Sequence, residues 1–151
     1  MKIALVALLA ICATVVRAQD VSLKGIASVQ VEILLQDGIG TGPCAEKVLA
    51  KSFGLLEDPI RTEAELRLRE VGLRIGPGQV LRIGVVACQS TVNIEVSLKE
   101  WAIVDVRGRH GVVITWTDSM ILFGPREFEV RSQIRDSVSK FVNQWLADNG
   151  K

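Results

Sequence analysis

The strongest constraint on the fold is a stretch of alternating residues between Val92 and Phe123. Its first half places apolar side chains at even positions and polar ones at most odd positions, and its second half keeps this parity after the connection Arg107–Gly111. A period of two indicates strands with one buried face, and a short connection that contains glycine indicates a turn between antiparallel strands. We therefore predict one long β-hairpin. Its apolar even positions are Val92, Ile94, Val96, Leu98, Ala102, Val104, Val106, Val112, Ile114, Trp116, Met120 and Leu122.

The register of this hairpin is predicted by matching apolar residues across it. Opposing Val106 with Val112 pairs apolar side chains along the hairpin, except at one position, where Glu100 faces Asp118. A slip of one residue would turn the apolar set towards water, whereas a slip of two residues stays open. Opposed carboxylates repel each other and occur in acid–base active sites, so Glu100 and Asp118 are the weak catalytic candidates. The alternative, which we favour, is a structural bulge where both carboxylates reach water or an arginine of the closing helix.

Two strands are predicted before the hairpin, over Gly25–Leu35 and Val80–Cys88. The first alternates like the hairpin, and the second is apolar on both faces apart from Arg82, which is typical of a central strand. A helix between them would make them parallel neighbours in one sheet. The segment Ala45–Phe53 fits either a short helix or an edge strand.

Two helices are predicted from their end signals and apolar stripes. Asp58 as N-cap and Pro59 as the first helical residue begin one helix, and Gly72 ends it. The closing helix covers Arg126–Ala147, and its apolar stripe is expected to cover the hairpin. The predicted fold class is α+β, a two-layer sandwich with a mixed, mainly antiparallel sheet and both helices on one face. The element order is strand–helix–strand–strand–strand–helix.

The amino-terminal residues 1–18 are typical of a secretory signal peptide, with a basic start and an apolar run that is short for a membrane span. The segment Leu9–Cys12 is similar to a bacterial lipobox, although Ile11 stands where a small residue is needed. We predict a single domain over 19–151. Without Lys2 and Arg17, 16 basic residues oppose 17 acidic residues, which gives no reason to expect nucleic acid as a partner. No later stretch predicts a transmembrane span in the mature chain.

The mature chain retains two cysteines, Cys44 and Cys88. A pair of cysteines in an exported protein predicts one disulfide bond. The two parallel strands would also bring Cys88 and the residues that follow the first strand to the same edge of the sheet. The alternative is two buried thiols.

The remaining polar residues give weak chemical signals. His110 lies in the hairpin turn between Arg109 and Gly111, and a histidine without nearby partners predicts neither a metal site nor a catalytic base. No nucleophile elbow, zinc spacing or phosphate loop is present, and we predict no cofactor. The candidate interaction surface is strand Val80–Cys88 with the odd face of the hairpin and its turn; the hairpin residues are Trp101, Ile103, Arg107, Arg109, His110, Val113, Ile121 and Phe123.

Three segments carry a resemblance to a family. Glu65–Leu73 in the first helix, the pair Thr115-Trp116 and the ending Phe141–Asn149 resemble a group of small exported bacterial α/β proteins of unknown function. The resemblance covers Gly54–Asn149. The layout is also similar to the amino-terminal α/β domain of the periplasmic TolB protein, which implies partner binding at the level of fold. Neither resemblance supplies a catalytic residue.

Together these features predict a periplasmic or secreted, non-enzymatic module for binding or envelope assembly. Its partner is a different protein or a second copy of the chain. Two alternatives stay open. One is a hydrolase that uses Glu100 and Asp118, and the other is a carrier of a small apolar ligand with a cavity between the sheet and the closing helix.

Overall fold

The computed structural model describes residues 22–37, 55–88, 90–103 and 107–151. The strands in this part of the chain are β1 (Ser28–Asp37), β2 (Arg74–Ile75), β3 (Gln79–Cys88), β4 (Thr91–Ile103) and β5 (His110–Phe123). The helices are α1 (Glu57–Glu70) and α2 (Glu127–Asp148). The five strands form one mixed sheet, and both helices pack against it, so the predicted α+β class is confirmed. The predicted signal peptide and the segment Ala45–Phe53 lie outside the described residues.

The order of strands across the sheet is β2–β1–β3–β4–β5. Strand β1 is parallel to β2 and to β3, as predicted for two strands joined through a helix. Strands β3, β4 and β5 are successive antiparallel neighbours. The short β2 was not predicted, because two residues are too few to show a period. Strand β5 forms one edge of the sheet, because β4 is its one neighbour among the described strands.

The core lies between one face of the sheet and the two helices. The sheet contributes alternate residues of β1, β3 and β4, and α2 contributes the predicted stripe. Removing these apolar side chains from water is the main free-energy gain of folding. The buried stripe of α2 comprises Val130, Ile134, Val138, Phe141, Val142 and Trp145.

Helix α1 begins one residue before the predicted N-cap. Its N-cap is Leu56, which makes no side-chain capping hydrogen bond, so the predicted capping role of Asp58 is wrong. Glu57 and Asp58 instead lie in the first turn, where their negative charges interact favourably with the helix dipole. Pro59 remains compatible with this position because the first-turn N–H groups have no partner within the helix.

The predicted end of α1 at Gly72 is confirmed. Gly72 has a φ of 84°, a conformation that glycine adopts without steric cost. The Gly72 N–H donates to the Arg69 carbonyl (2.9 Å), and the Leu73 N–H donates to the Leu68 carbonyl (3.1 Å). These two bonds form a Schellman motif, which satisfies carbonyl groups at the helix end and turns the chain towards β2.

The predicted register of the hairpin is wrong. Val96 is opposite Asp118 and Leu98 is opposite Trp116, whereas the prediction opposed Glu100 to Asp118. The register also shifts after Leu98, because Lys99 pairs with Ile114 and leaves Thr115 as an extra residue. This β-bulge exchanges the two faces of β5, and a bulge leaves no reliable signal in a pattern of apolar residues.

The first and last described segments are joined by a set of hydrogen bonds. The Trp145 indole N–H donates to the Ile26 carbonyl (2.9 Å), and the Asn149 side-chain amide donates to the Leu23 carbonyl (3.1 Å). The Leu23 N–H donates to the Asp148 carboxylate (2.6 Å). These contacts hold the segment before β1 against the carboxyl end of α2.

Candidate interaction surface

Among the described side chains, five exposed apolar ones lie on the face of the sheet that the helices do not cover. Trp101 is 75% exposed and Phe123 is 81% exposed. The other three side chains are each slightly more than half exposed. Trp101 comes from β4 and the rest come from β5. We call this set the outer-strand surface, and it comprises Trp101, Val112, Ile114, Ile121 and Phe123.

The bulge at Thr115 builds this surface. After the bulge, even positions of β5 such as Trp116 face the helices, because their partners on β4 are buried. Before it, Val112 and Ile114 pair with Trp101 and Lys99, which lie on the open face. The prediction that Val112 and Ile114 are buried is therefore wrong.

The structure agrees in part with the predicted odd-face surface. Trp101, Ile121 and Phe123 lie on the open face, as predicted. Val113 is half-buried and pairs with Glu100, so it does not lie on the open face. Its neighbours Val112 and Ile114 lie on that face instead. The Ile103 side chain lies outside the described part of the structure.

A groove of about 760 Å³ lies next to Trp101. Its floor is the open face of β1 and β3, where Arg82 forms an ion pair with Glu32 (2.7 Å). Gln30 and Lys99 also line it. The groove is wide and polar beside one large apolar ring, which suits contact with a protein surface better than enclosure of a small apolar molecule.

The outer edge of β5 lacks the charges that commonly protect an edge strand. Its sequence from His110 to Phe123 has no lysine, arginine or proline, and its one carboxylate is Asp118. Edge strands expose unpaired backbone N–H and C=O groups, and charged side chains or proline usually discourage pairing there. In β5, only the bulge at Thr115 disturbs the ladder.

Asp118 is bound to α2. Its carboxylate accepts hydrogen bonds from the Ser137 hydroxyl (2.7 Å) and from the Lys140 ammonium (2.9 Å). Burial acts to raise the pKa of Asp118, but the hydrogen bonds from Ser137 and Lys140 and the positive charge of Lys140 together lower it below its usual value. This anchor matches the favoured structural interpretation, with a lysine and a serine in place of the expected arginine. The sequence could have indicated this pair of donors to a carboxylate, because Ser137 and Lys140 lie one turn apart on the same side of the closing helix.

Glu100 is separated from Asp118 in the sheet. It pairs with Val113, on the other side of the bulge from the pair Val96–Asp118. The geometric argument for an acid–base pair therefore no longer holds. Glu100 borders the groove beside Trp101.

The described part of the hairpin connection, residues 107–109, is exposed, and so is His110 at the start of β5. Arg107 and Arg109 lie at the turn end of the hairpin, and His110 pairs with Ile103, one pair beyond Ala102 and Gly111. Within the described residues, no group of three or more histidine, cysteine, aspartate or glutamate side chains is placed to hold a metal ion.

The predicted disulfide bond remains a prediction. Cys88 ends β3 and is half-buried, and β1 and β3 end at the same edge because Asp37 pairs with Ala87. This is the arrangement on which the prediction was based. Cys44 lies outside the described residues.

Comparisons with known proteins assign no family. No family model matches the chain, and no curated protein matches its sequence. The crystal structure of a minor lipoprotein from Acinetobacter baumannii is similar, with a TM-score of 0.37 and 13% identity, over 82% of this chain and 92% of that chain. A similarity at this level supports no argument about function. The resemblance to the TolB domain stays a prediction. Neither α1 nor α2 is long and apolar enough to cross a membrane.

Proposed function

We propose that this protein is an exported, non-enzymatic binding or assembly module of the bacterial envelope, and that it binds a protein through the outer-strand surface. The observation that carries the proposal is the exposure of five apolar side chains on the open face of the sheet, four of them on the edge strand β5 and one, Trp101, on its neighbour β4. Groups of exposed apolar side chains on one face cost free energy in water and commonly mark protein–protein interfaces.

The backbone of β5 strengthens this proposal. Strand β5 has 14 residues and, among the strands that the structure describes, pairs with β4 alone. A bound partner strand would satisfy the outer N–H and C=O groups, and its side chains would cover Val112, Ile114, Ile121 and Phe123. Main-chain pairing would supply affinity, and the alternate side chains would supply specificity.

The composition of the surface also favours a protein partner. Tryptophan and phenylalanine are enriched in interface cores, where each buries a large area with few rotatable bonds. Trp101 lies beside the Arg82–Glu32 ion pair, which would form part of a polar rim. The groove of about 290 Å³ between α1 and α2 is lined by apolar residues such as Ile60, Leu66 and Ile134 and by charged residues such as Arg131, and it does not lie between the sheet and α2, where the cavity of an apolar-ligand carrier was predicted.

Site-specific photo-cross-linking in the exporting bacterium tests the proposal. A photoreactive phenylalanine analogue is placed at Trp101 or Val112 in the full chain, and as matched controls at the exposed Thr62 of α1 or Asn143 of α2. We expect a discrete cross-linked protein, identified by mass spectrometry, from the two strand positions only. Equal cross-linking from all four positions, or none from the strand positions, would overturn the proposal.

A further inference from the structure

The side chains of β5 form a pattern that is the same in both directions along the strand. Between Val112 and Phe123, with the bulge residue Thr115 left out, the open face carries two apolar residues, two polar residues and two apolar residues; His110 precedes this pattern. In order, these are Val112, Ile114, Thr117, Ser119, Ile121 and Phe123. The other face shows the same symmetry around Asp118, with Val113, Trp116, Met120 and Leu122 on its two sides.

We infer that the partner of this surface is a second copy of the chain, which pairs antiparallel through β5 with a two-fold axis at Asp118. The inference rests on the proposed function, and it names the partner and the register. A two-fold contact uses the same surface on both copies, so a strand can form it only if its pattern is self-complementary. In this register, Ile114 is opposite Ile121 of the partner subunit, and Val112 is opposite Phe123 of the partner subunit.

The face towards the helices also matches in this register. Trp116 is opposite Met120 of the partner subunit, and Val113 is opposite Leu122 of the partner subunit. Because the axis repeats every contact, each of the four apolar pairs occurs twice. Cross-strand pairs of this kind are the main side-chain contribution to the stability of antiparallel pairing.

The charges at the axis are compatible with this contact. The two copies of Asp118 would be direct neighbours, and like charges opposite each other destabilise a strand pair. Each Asp118 carboxylate is however already bound to Lys140 of its own chain (2.9 Å) and to Ser137 (2.7 Å). The lysine neutralises the carboxylate and draws it towards α2, away from the ladder.

Neighbouring registers match less well. Moving the axis by one residue towards the amino end of β5, to Thr117, places Ile114 opposite Ser119 of the partner subunit. Trp116 is then opposite Asp118 of the partner subunit. Moving it the other way places Thr117 opposite Ile121 of the partner subunit. Both shifts oppose apolar to polar side chains, so the register with Asp118 at the axis has the best apolar match.

The experiment combines oligomeric state with a charge-swap test. The mature protein is studied by sedimentation velocity over a range of concentrations, and we expect a monomer–dimer equilibrium. The side chains of Ile114 and Ile121 are more than half exposed in the monomer. The variants Ile114→Lys and Ile121→Glu should therefore each fold like wild type, as judged by circular dichroism. Each should weaken dimerisation about tenfold or more, because a charge would be buried opposite an apolar side chain.

The mixture of these two variants is the decisive measurement. In the inferred register, the new lysine lies opposite the new glutamate, so an equimolar mixture should recover a heterodimer. A mixture of Ile114→Lys with Val112→Glu introduces the same charges on positions that are not opposed, and it should stay monomeric.

Three results would overturn the inference. They are a wild-type protein that is monomeric throughout, a dimer that persists in both single variants, and a charge-swapped mixture that does not recover. A monomeric protein that still cross-links to a different protein through Trp101 or Val112 would remove the second copy as partner and leave the proposed function standing. A monomer without any cross-link from these positions would remove both.

Discussion

Strands β4 and β5 are neighbours of similar length and similar apolar content, but they differ in burial. Val92, Ile94, Val96 and Leu98 of β4 are almost fully buried, whereas most apolar residues of β5 are exposed or half exposed. Strand β4 has a strand on each side and α2 over one face, while β5 has a described neighbour on one side only. The comparison shows that alternation defines which side chains share a face, and that neighbouring elements decide whether this face is buried.

The largest expected difference concerns two isoleucines. Ile94→Ala in β4 should reduce the free energy of unfolding by about 2–5 kcal/mol, because it removes buried methyl groups and leaves a cavity. Ile121→Ala in β5 should change it by less than about 0.5 kcal/mol at low protein concentration, because the side chain is exposed. Urea unfolding measures both. Equal losses would show that the open face of β5 is covered in the monomer.

The predicted disulfide would give the end of β3 a covalent support that β5 lacks. Intact mass spectrometry after alkylation under denaturing conditions should show no labelled cysteine unless a reductant is added. Cys44→Ser and Cys88→Ser should each lower the free energy of unfolding by about 2–4 kcal/mol, and the double variant should lose no more than either one. Alkylation of either cysteine without a reductant would show that the bond is not formed.

Two tryptophans provide the next comparison, one covered and one on the open face. Trp145→Phe removes the hydrogen bond to the Ile26 carbonyl and weakens the contact of the ring with the Lys151 ammonium, which lies 4.6 Å from the ring centre. The expected loss is about 1–2 kcal/mol, because the carbonyl is left without its donor. Trp101→Phe should have almost no effect on unfolding. A comparable loss for Trp101→Phe would indicate that its indole group is engaged within the monomer.

The smallest effect distinguishes the two carboxylates of the hairpin. Asp118→Asn should lower stability by about 1 kcal/mol at neutral pH, whereas Glu100→Gln should leave it unchanged. The pKa of Asp118 is lowered from 3.8 in the folded protein, so its stabilisation is complete above that value and is lost as the pH falls through the folded-state pKa. The difference between wild type and Asp118→Asn should therefore disappear in acid.

Unfolding curves at neutral and acid pH check this prediction. A gain of stability in both Asp118→Asn and Glu100→Gln near neutral pH would instead show that the two carboxylates repel each other. That outcome would restore the premise of the acid–base alternative.

The sequence predicted much of the fold but only part of the surface. The parallel pairing of β1 with β3, the end of α1 at Gly72 and the stripe of α2 are confirmed, because each depends on a local signal or on a rule of chain connection. The pairing of Glu100 with Asp118 was wrong, because hairpin register depends on which residues the helices cover and on one inserted residue, Thr115.

The amino-acid sequence by itself determined the four long strands and the two helices, since periodicity and end signals act over a few residues, but not the two-residue strand β2. Only the tertiary structure decided which apolar residues are buried. The bulge at Thr115 turned Val112 and Ile114 to the open face, and the position of β5 at the sheet edge left them there. The physical reason is that burial depends on contacts between segments far apart in sequence, and the pattern within one strand contains no record of its neighbours.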